Sequence, residues 1–182
     1  MIYFFIGGIW YTFYQFQVTF LQVDPSVSAL SSVHFHFSSA IVPIFIGMLG
    51  RIMVKKSWYS WLVVIDIIGP ILIAVGIVLS KPLEIIGVSI FACNIVIYST
   101  YLLLKIKNST KKNSGNSFLI LSSLAFYSII VLSIYYPVAK RYFSVTIMDM
   151  VPIYGSLHAF GFVLFGLIGW ILMTNYLNKG VN

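Results

Sequence analysis

Long, uninterrupted apolar runs dominate this chain, and they leave few folds open to it. Six stand out, at residues 1–21, 31–54, 58–80, 83–104, 117–136 and 151–175. A run of about 18 apolar residues or more, bounded by polar or turn residues, reads as a membrane-spanning helix. The competing spanning structure, a β-barrel, alternates apolar and polar residues in segments of about 10. The runs here are continuous, so helices are expected. Composition points the same way: 60% of the 182 residues are hydrophobic and 8% are charged, with a mean hydropathy of +0.99. A soluble domain has too little interior for that much apolar surface. The expected fold is all-α, a polytopic transmembrane helix bundle of about six spans, forming a single integral membrane domain over 1–182. The lipid bilayer is its first expected partner.

The breaks between runs are charged or turn-like. They are Asp24-Pro25-Ser26, Lys55-Lys56-Ser57, Lys81-Pro82, the polar stretch KIKNSTKKNSGNS at 105–117 and PVAKRYF at 137–143. Asp24-Pro25 is a helix-start signal, because aspartate caps and proline tolerates the first turn. Lys81-Pro82 opens the fourth run in the same way. The first 21 residues lack a basic start and a small-residue cleavage site, so they read as a retained helix and not as a signal peptide.

Lysines and arginines divide unequally between the two faces these breaks define. One face carries Arg51, Lys55, Lys56, Lys105, Lys107, Lys111, Lys112 and Lys179, and the other carries Lys81, Lys140 and Arg141. The positive-inside rule then places both termini in the cytoplasm and the breaks near 24, 81 and 140 outside a bacterial cytoplasmic membrane. The same loops account for the net charge of +7. No nucleic-acid-binding motif accompanies it, and nucleic acid is not an expected partner. Cys93 is the single cysteine, which rules out a disulfide within the chain. It reads as a small buried hydrophobe.

The polar residues inside the runs are the candidates for chemistry. His34 and His36 lie near the outer start of the second run, and His158 near the outer start of the last. At 1.5 Å per residue all three fall within roughly the outer 10 Å of the core. On a helix His34 and His36 point about 200° apart, so they are poorly placed to share one metal. His36 heads a row of small or kinking residues, Ser39, Ala40, Pro43, Gly47 and Gly50. It is expected to face the bundle, with His34 followed by the more lipid-like Ser38, Ile41 and Phe45. His158 shares an α-helical face with Gly161, Phe165 and Gly169, with Tyr154 one turn above.

Asp66 is the one acid well inside a run. A charged group at that depth is costly and is expected to face protein or water. Gly69 and Pro70 share its face, and Asn94 on the next helix lies near the same depth as a candidate partner. In the first run, Gly8, Tyr11, Gln15 and Gln22 form a stripe expected to face the bundle.

Three readings of function follow. The first is binding or transport of a small solute or ion through an outward polar cavity. It would be built by His36, His158, Gln15 and Tyr154, with His34 beside them and Asp66 and Asn94 deeper. The second is a redox protein with a metal or haem on His36 and His158, since both need imidazole ligands. The third is an interaction or immunity-type membrane protein with no solute. No clustered thiolates or carboxylates support zinc. There is no phosphate-binding loop, nucleophile elbow or carboxylate pair at helical spacing, so an enzyme is not the favoured reading. The sequence names no cofactor and no oligomeric state.

Three stretches carry a family resemblance. VHFHFSSAIVPIFIG at 33–47, IIGPILIAVGI at 67–77 and YGSLHAFGF at 154–162 resemble the His-x-His, Gly-Pro and His-Gly-x-x-Asn-Ala-x-Gly-Phe segments of the YndJ-like family of bacterial membrane proteins. Tyr154 stands at that family's His position and His158 at its Asn position. The resemblance implies a polytopic membrane protein, a member sometimes labelled a transporter. The family is larger than this chain, which implies a short member or a fragment.

Overall fold

A computed structural model describes residues 2–18, 23–52, 57–108 and 113–179. Its elements are α1 (Ile2–Gln15), α2 (Pro25–Ile52), α3 (Ser57–Leu79), α4 (Lys81–Lys107), α5 (Ser114–Phe143), α6 (Ile147–Ser156), a π-helical segment (Leu157–Leu164) and α7 (Phe165–Lys179). Among the described residues five helical stretches are long and apolar enough to cross a membrane. They are Pro25–Ile52, Ser57–Leu79, Lys81–Lys107, Ser114–Tyr135 and Asp149–Thr174. A helical, polytopic membrane fold is thus what this sequence forms.

The first apolar run makes a shorter helix than its length suggests. α1 has 14 residues, about 21 Å against a hydrocarbon core of about 30 Å. It ends in a tight turn where Gln17 takes φ 51. The polar break after the fourth run is also smaller, since α4 continues to Lys107 and α5 starts at Ser114. PVAKRYF does not break the chain: α5 carries through it to Phe143, and Ser144 at φ 53 ends the helix.

Local signals set the ends. Asp24 Oδ1 accepts from the Ser26 N–H at 2.8 Å and from the Ser26 hydroxyl, capping α2 ahead of Pro25. These donors hold the exposed Asp24 carboxyl below its ordinary range, the hydroxyl first. Asn113 caps α5 through Gly115 N–H. Thr146 and Asp149 form a reciprocal capping box at α6.

The chain divides into two compact units, Met1–Ile95 and Val96–Asn182. In the first, α1 runs antiparallel to α2. Tyr3 stacks on Phe35 at 6.0 Å, and Phe4 meets His36 edge-on at 5.6 Å. Trp10, Val23 and Phe35 form a core that also takes Phe13 from α1 and Ala74, Ile77 and Val78 from α3. The Tyr3 hydroxyl donates to the Ile67 carbonyl halfway along α3. These contacts place α1 beside the Ile67–Leu79 half of α3. Glycines let α3 and α4 approach closely. A Cβ on Gly69 would lie 2.7 Å from Phe91, and one on Gly76 2.9 Å from the Leu83 backbone. Close backbone approach at small residues is how helices associate in lipid.

In the second unit, α5 packs against the π segment and α7. A Cβ on Gly161 would lie 2.7 Å from the Ala125 Cβ, and one on Gly169 2.7 Å from Leu119. The buried Trp170 indole donates to the Tyr98 hydroxyl at 3.1 Å.

Candidate functional site

Among the described residues Asp66 is the most deeply buried of the charged types, 1% exposed. Three local causes put it there. Leu62, Gly69 and Pro70 share its face and are also buried. Gly69 admits Phe91 of α4 against that face. Asn94, 2% exposed, donates through Nδ2 to the Leu62 carbonyl at 3.0 Å. That carbonyl is the helical acceptor of Asp66's own N–H, four residues on. Asn94 therefore reaches the level of Asp66 but bonds to the backbone there, not to the carboxyl. Its expected role as side-chain partner of Asp66 is corrected in this respect. The reason is that an amide N–H finds a helix carbonyl as readily as a carboxylate.

One oxygen of the carboxyl is left without a donor. No hydrogen bond reaches Asp66 Oδ1 among the described residues. Tyr3 lies within electrostatic reach of Asp66, but its hydroxyl donates to Ile67. The ion pair between Lys81 Nζ and Glu84 Oε1, at 2.7 Å, lies at the start of α4 and does not involve Asp66.

Tyr3 is a residue the sequence reasoning passed over. Its polar head looks like an ordinary interfacial aromatic, and only the packing of α1 on α3 brings it to the Ile67 carbonyl, next in the chain to Asp66. The pattern of large and small residues in α1 did contain a clue. Its buried face is Gly7 and Trp10, and a Cβ on Gly7 would lie 2.5 Å from His36 Nδ1.

The stripe expected to face the bundle from α1 turns the other way. Gln15 and Tyr11 are exposed and bond to each other, Gln15 Nε2 to Tyr11 Oη at 2.6 Å. Gly8 has open space at its Cβ position. Gln22 lies outside the described residues. The error is physical: a pair of polar groups four apart on a helix satisfies itself without a bundle.

His34 is exposed and His36 half-buried. Each ring binds its own helix, His34 Nδ1 to the Leu30 carbonyl at 3.0 Å and His36 Nδ1 to the Ser32 carbonyl at 2.8 Å. The rows drawn from them need correction. Phe45, placed in the lipid-like row, is fully buried, while Gly47 is exposed with nothing near its Cβ position. The packed face of α2 is instead Ser28, Ser32, Phe35, Ser39, Val42, Ile46 and Leu49. Small serines line this face, and Gly50 makes a close contact of its own with the Tyr59 ring of α3. Cys93, expected to be buried, is exposed.

In the second unit His158 is half-buried between Tyr154 at 5.4 Å and Phe162 at 5.9 Å. It is the second residue of the π-helical segment, where the wider turn replaces the α-helical face expected from the sequence. Gly161 and Gly169 face α5, whereas His158 stands in the aromatic row. Where the π segment ends, the Phe165 N–H is shared between the carbonyls of Phe160 and Phe162. Ser122 of α5 adds a donor to the Phe162 carbonyl at 2.7 Å. π-Helical turns concentrate at functional positions, and no apolar pattern announces them. His36 and His158 fall in different units. Among the described residues no group of three or more His, Cys, Asp or Glu side chains is placed to hold a metal.

These features define a class: a multi-pass helical membrane protein with one buried acid in its first unit and a π-helical turn in its last span. A family model described as YndJ-like protein matches residues 1–162, and the chain belongs to that family. It is 36% identical over 173 residues to the uncharacterized membrane protein YndJ of Bacillus subtilis (strain 168), across 93% of this chain and 31% of that protein. The chain thus spans about a third of the length of the curated relative it matches. No solved structure matches the chain.

Proposed function

We propose that this chain binds or conducts a small solute or ion across the bacterial cytoplasmic membrane, and that Asp66 is the group that carries the charge. The observation behind the reading is the burial of a carboxyl, 1% exposed, midway along a spanning helix and without a salt-bridge partner among the described residues. An ionisable group at that depth costs free energy that packing alone does not recover, and such groups mark substrate, ion or proton pathways. Asn94 and Tyr3 shape the surroundings of Asp66. His36, with His34 above it, is the polar group nearer the start of α2, and His158 with Tyr154 is the corresponding candidate in the second unit. Gln15, exposed on α1, does not support an inward cavity.

The test is flux through proteoliposomes containing the full chain. Under an imposed potassium diffusion potential, proton entry is followed with an entrapped pH dye and sodium entry with 22Na+. The wild type is expected to pass one of the two, and Asp66→Asn to abolish that flux. Unchanged flux in Asp66→Asn would sink the reading.

A further inference from the structure

We infer that Asp66 and the main-chain oxygens beside it form a binding site for a dehydrated monovalent hard cation, with Na+ as the ion that fits. The inference rests on the ion-conducting reading above and narrows it. Two independent features meet at this residue. Oδ1 of Asp66 is buried with no hydrogen-bond donor among the described residues. Pro70 lies inside α3 and has no N–H, so the carbonyl of Asp66, four residues earlier, loses its helical donor. One residue thus presents a carboxyl oxygen without a donor among the described residues and a carbonyl oxygen that lacks its i+4 helical donor.

The neighbouring polar side chains add acceptors. Tyr3 donates its proton to the Ile67 carbonyl, so its phenolic oxygen has only acceptor capacity left. Asn94 Nδ2 donates to the Leu62 carbonyl, and its Oδ1 remains an acceptor. No cationic side chain answers the carboxylate among the described residues. Oxygen acceptors without donors are the ligand chemistry of a hard cation. A single carboxylate balances a single positive charge, and the described residues offer no cluster of acids for a divalent ion. Main-chain carbonyls freed from a helix at mid-membrane are the groups that hold Na+ where helices are interrupted.

The site is tested on the full chain in detergent with dicyclohexylcarbodiimide, which modifies a carboxyl when it is protonated. Modification of Asp66 is read by peptide mass spectrometry in NaCl and in choline chloride at one pH. Occupancy by sodium is expected to slow it about tenfold when Na+ stands about tenfold above its Kd. Equal labelling in the two salts overturns the sodium site and leaves the flux assay to judge the ion-conducting reading. Equilibrium binding of 22Na+ supplies the second measurement, expected for the wild type and lost in Asp66→Asn. Absence of 22Na+ binding to the wild type overturns the inference whatever the labelling shows.

Discussion

At the residue scale, the closest tolerances sit at glycines that face a neighbouring backbone. A Cβ at Gly76 would meet the main chain of Leu83 and Glu84, which cannot rotate away as a side chain can. Gly76→Ala is expected to destabilise the protein by about 1–3 kcal/mol through overpacking. Gly8→Ala is the matched control, because open space surrounds that position. It is expected to be neutral or to gain up to about 1 kcal/mol from helix propensity. Thermal unfolding in detergent compares the two; equal melting temperatures would contradict the close α3–α4 approach. Asp24 provides a pH-dependent counterpart. Its carboxyl titrates below the ordinary range because Ser26 donates to the charged form. A group whose folded value is depressed stabilises above the unfolded value and loses that contribution as pH falls through the folded one. The melting gap between wild type and Asp24→Ala is therefore expected near neutral pH and should close well below pH 4.

At the element scale, the π-helical segment is the feature that departs most from its sequence pattern. Ser122 supports it through the Phe162 carbonyl, in a setting with no water to replace the donor. Ser122→Ala is expected to cost about 1 kcal/mol, the range found for hydrogen bonds between membrane helices. Thermal unfolding measures the loss. Ser128→Ala is the comparison, since that hydroxyl serves its own helix at Leu124, and its melting temperature should stay near that of the wild type. α1 departs too: its residues are apolar for the length of a span, yet the helix stops at Gln15. Hydropathy measures whether a segment tolerates lipid and carries no information on where a turn at Gln17 will end it.

At the scale of the whole molecule, the unequal distribution of lysine and arginine predicts a sidedness. In a Cys93→Ser background, a cysteine introduced at Lys107 should react with a membrane-impermeant maleimide only after the membrane is opened. A cysteine at Ser144 should react in intact cells. Reversed accessibility would overturn the orientation. The same experiment, with a cysteine near the start of α1, reads the side on which that shorter helix begins.

Much was legible before any coordinates. Apolar runs of spanning length identify the helices because the bilayer forces every backbone group into internal hydrogen bonds. The cost of a buried carboxyl singles out Asp66 for the same reason. Asp24-Pro25 and Lys81-Pro82 announce helix starts through local stereochemistry. Facing is another matter. With lipid as apolar as the interior, an outward Gly8 and an inward Gly7, or a buried Phe45 and an exposed Ile44, differ by no hydrophobic signal. Only tertiary packing decided that Tyr3 bonds to the Ile67 carbonyl, that Asn94 bonds to a carbonyl, and that His158 lies in a π turn. Those choices depend on which surfaces interlock, and in a membrane the sequence pattern that reports burial in water is absent.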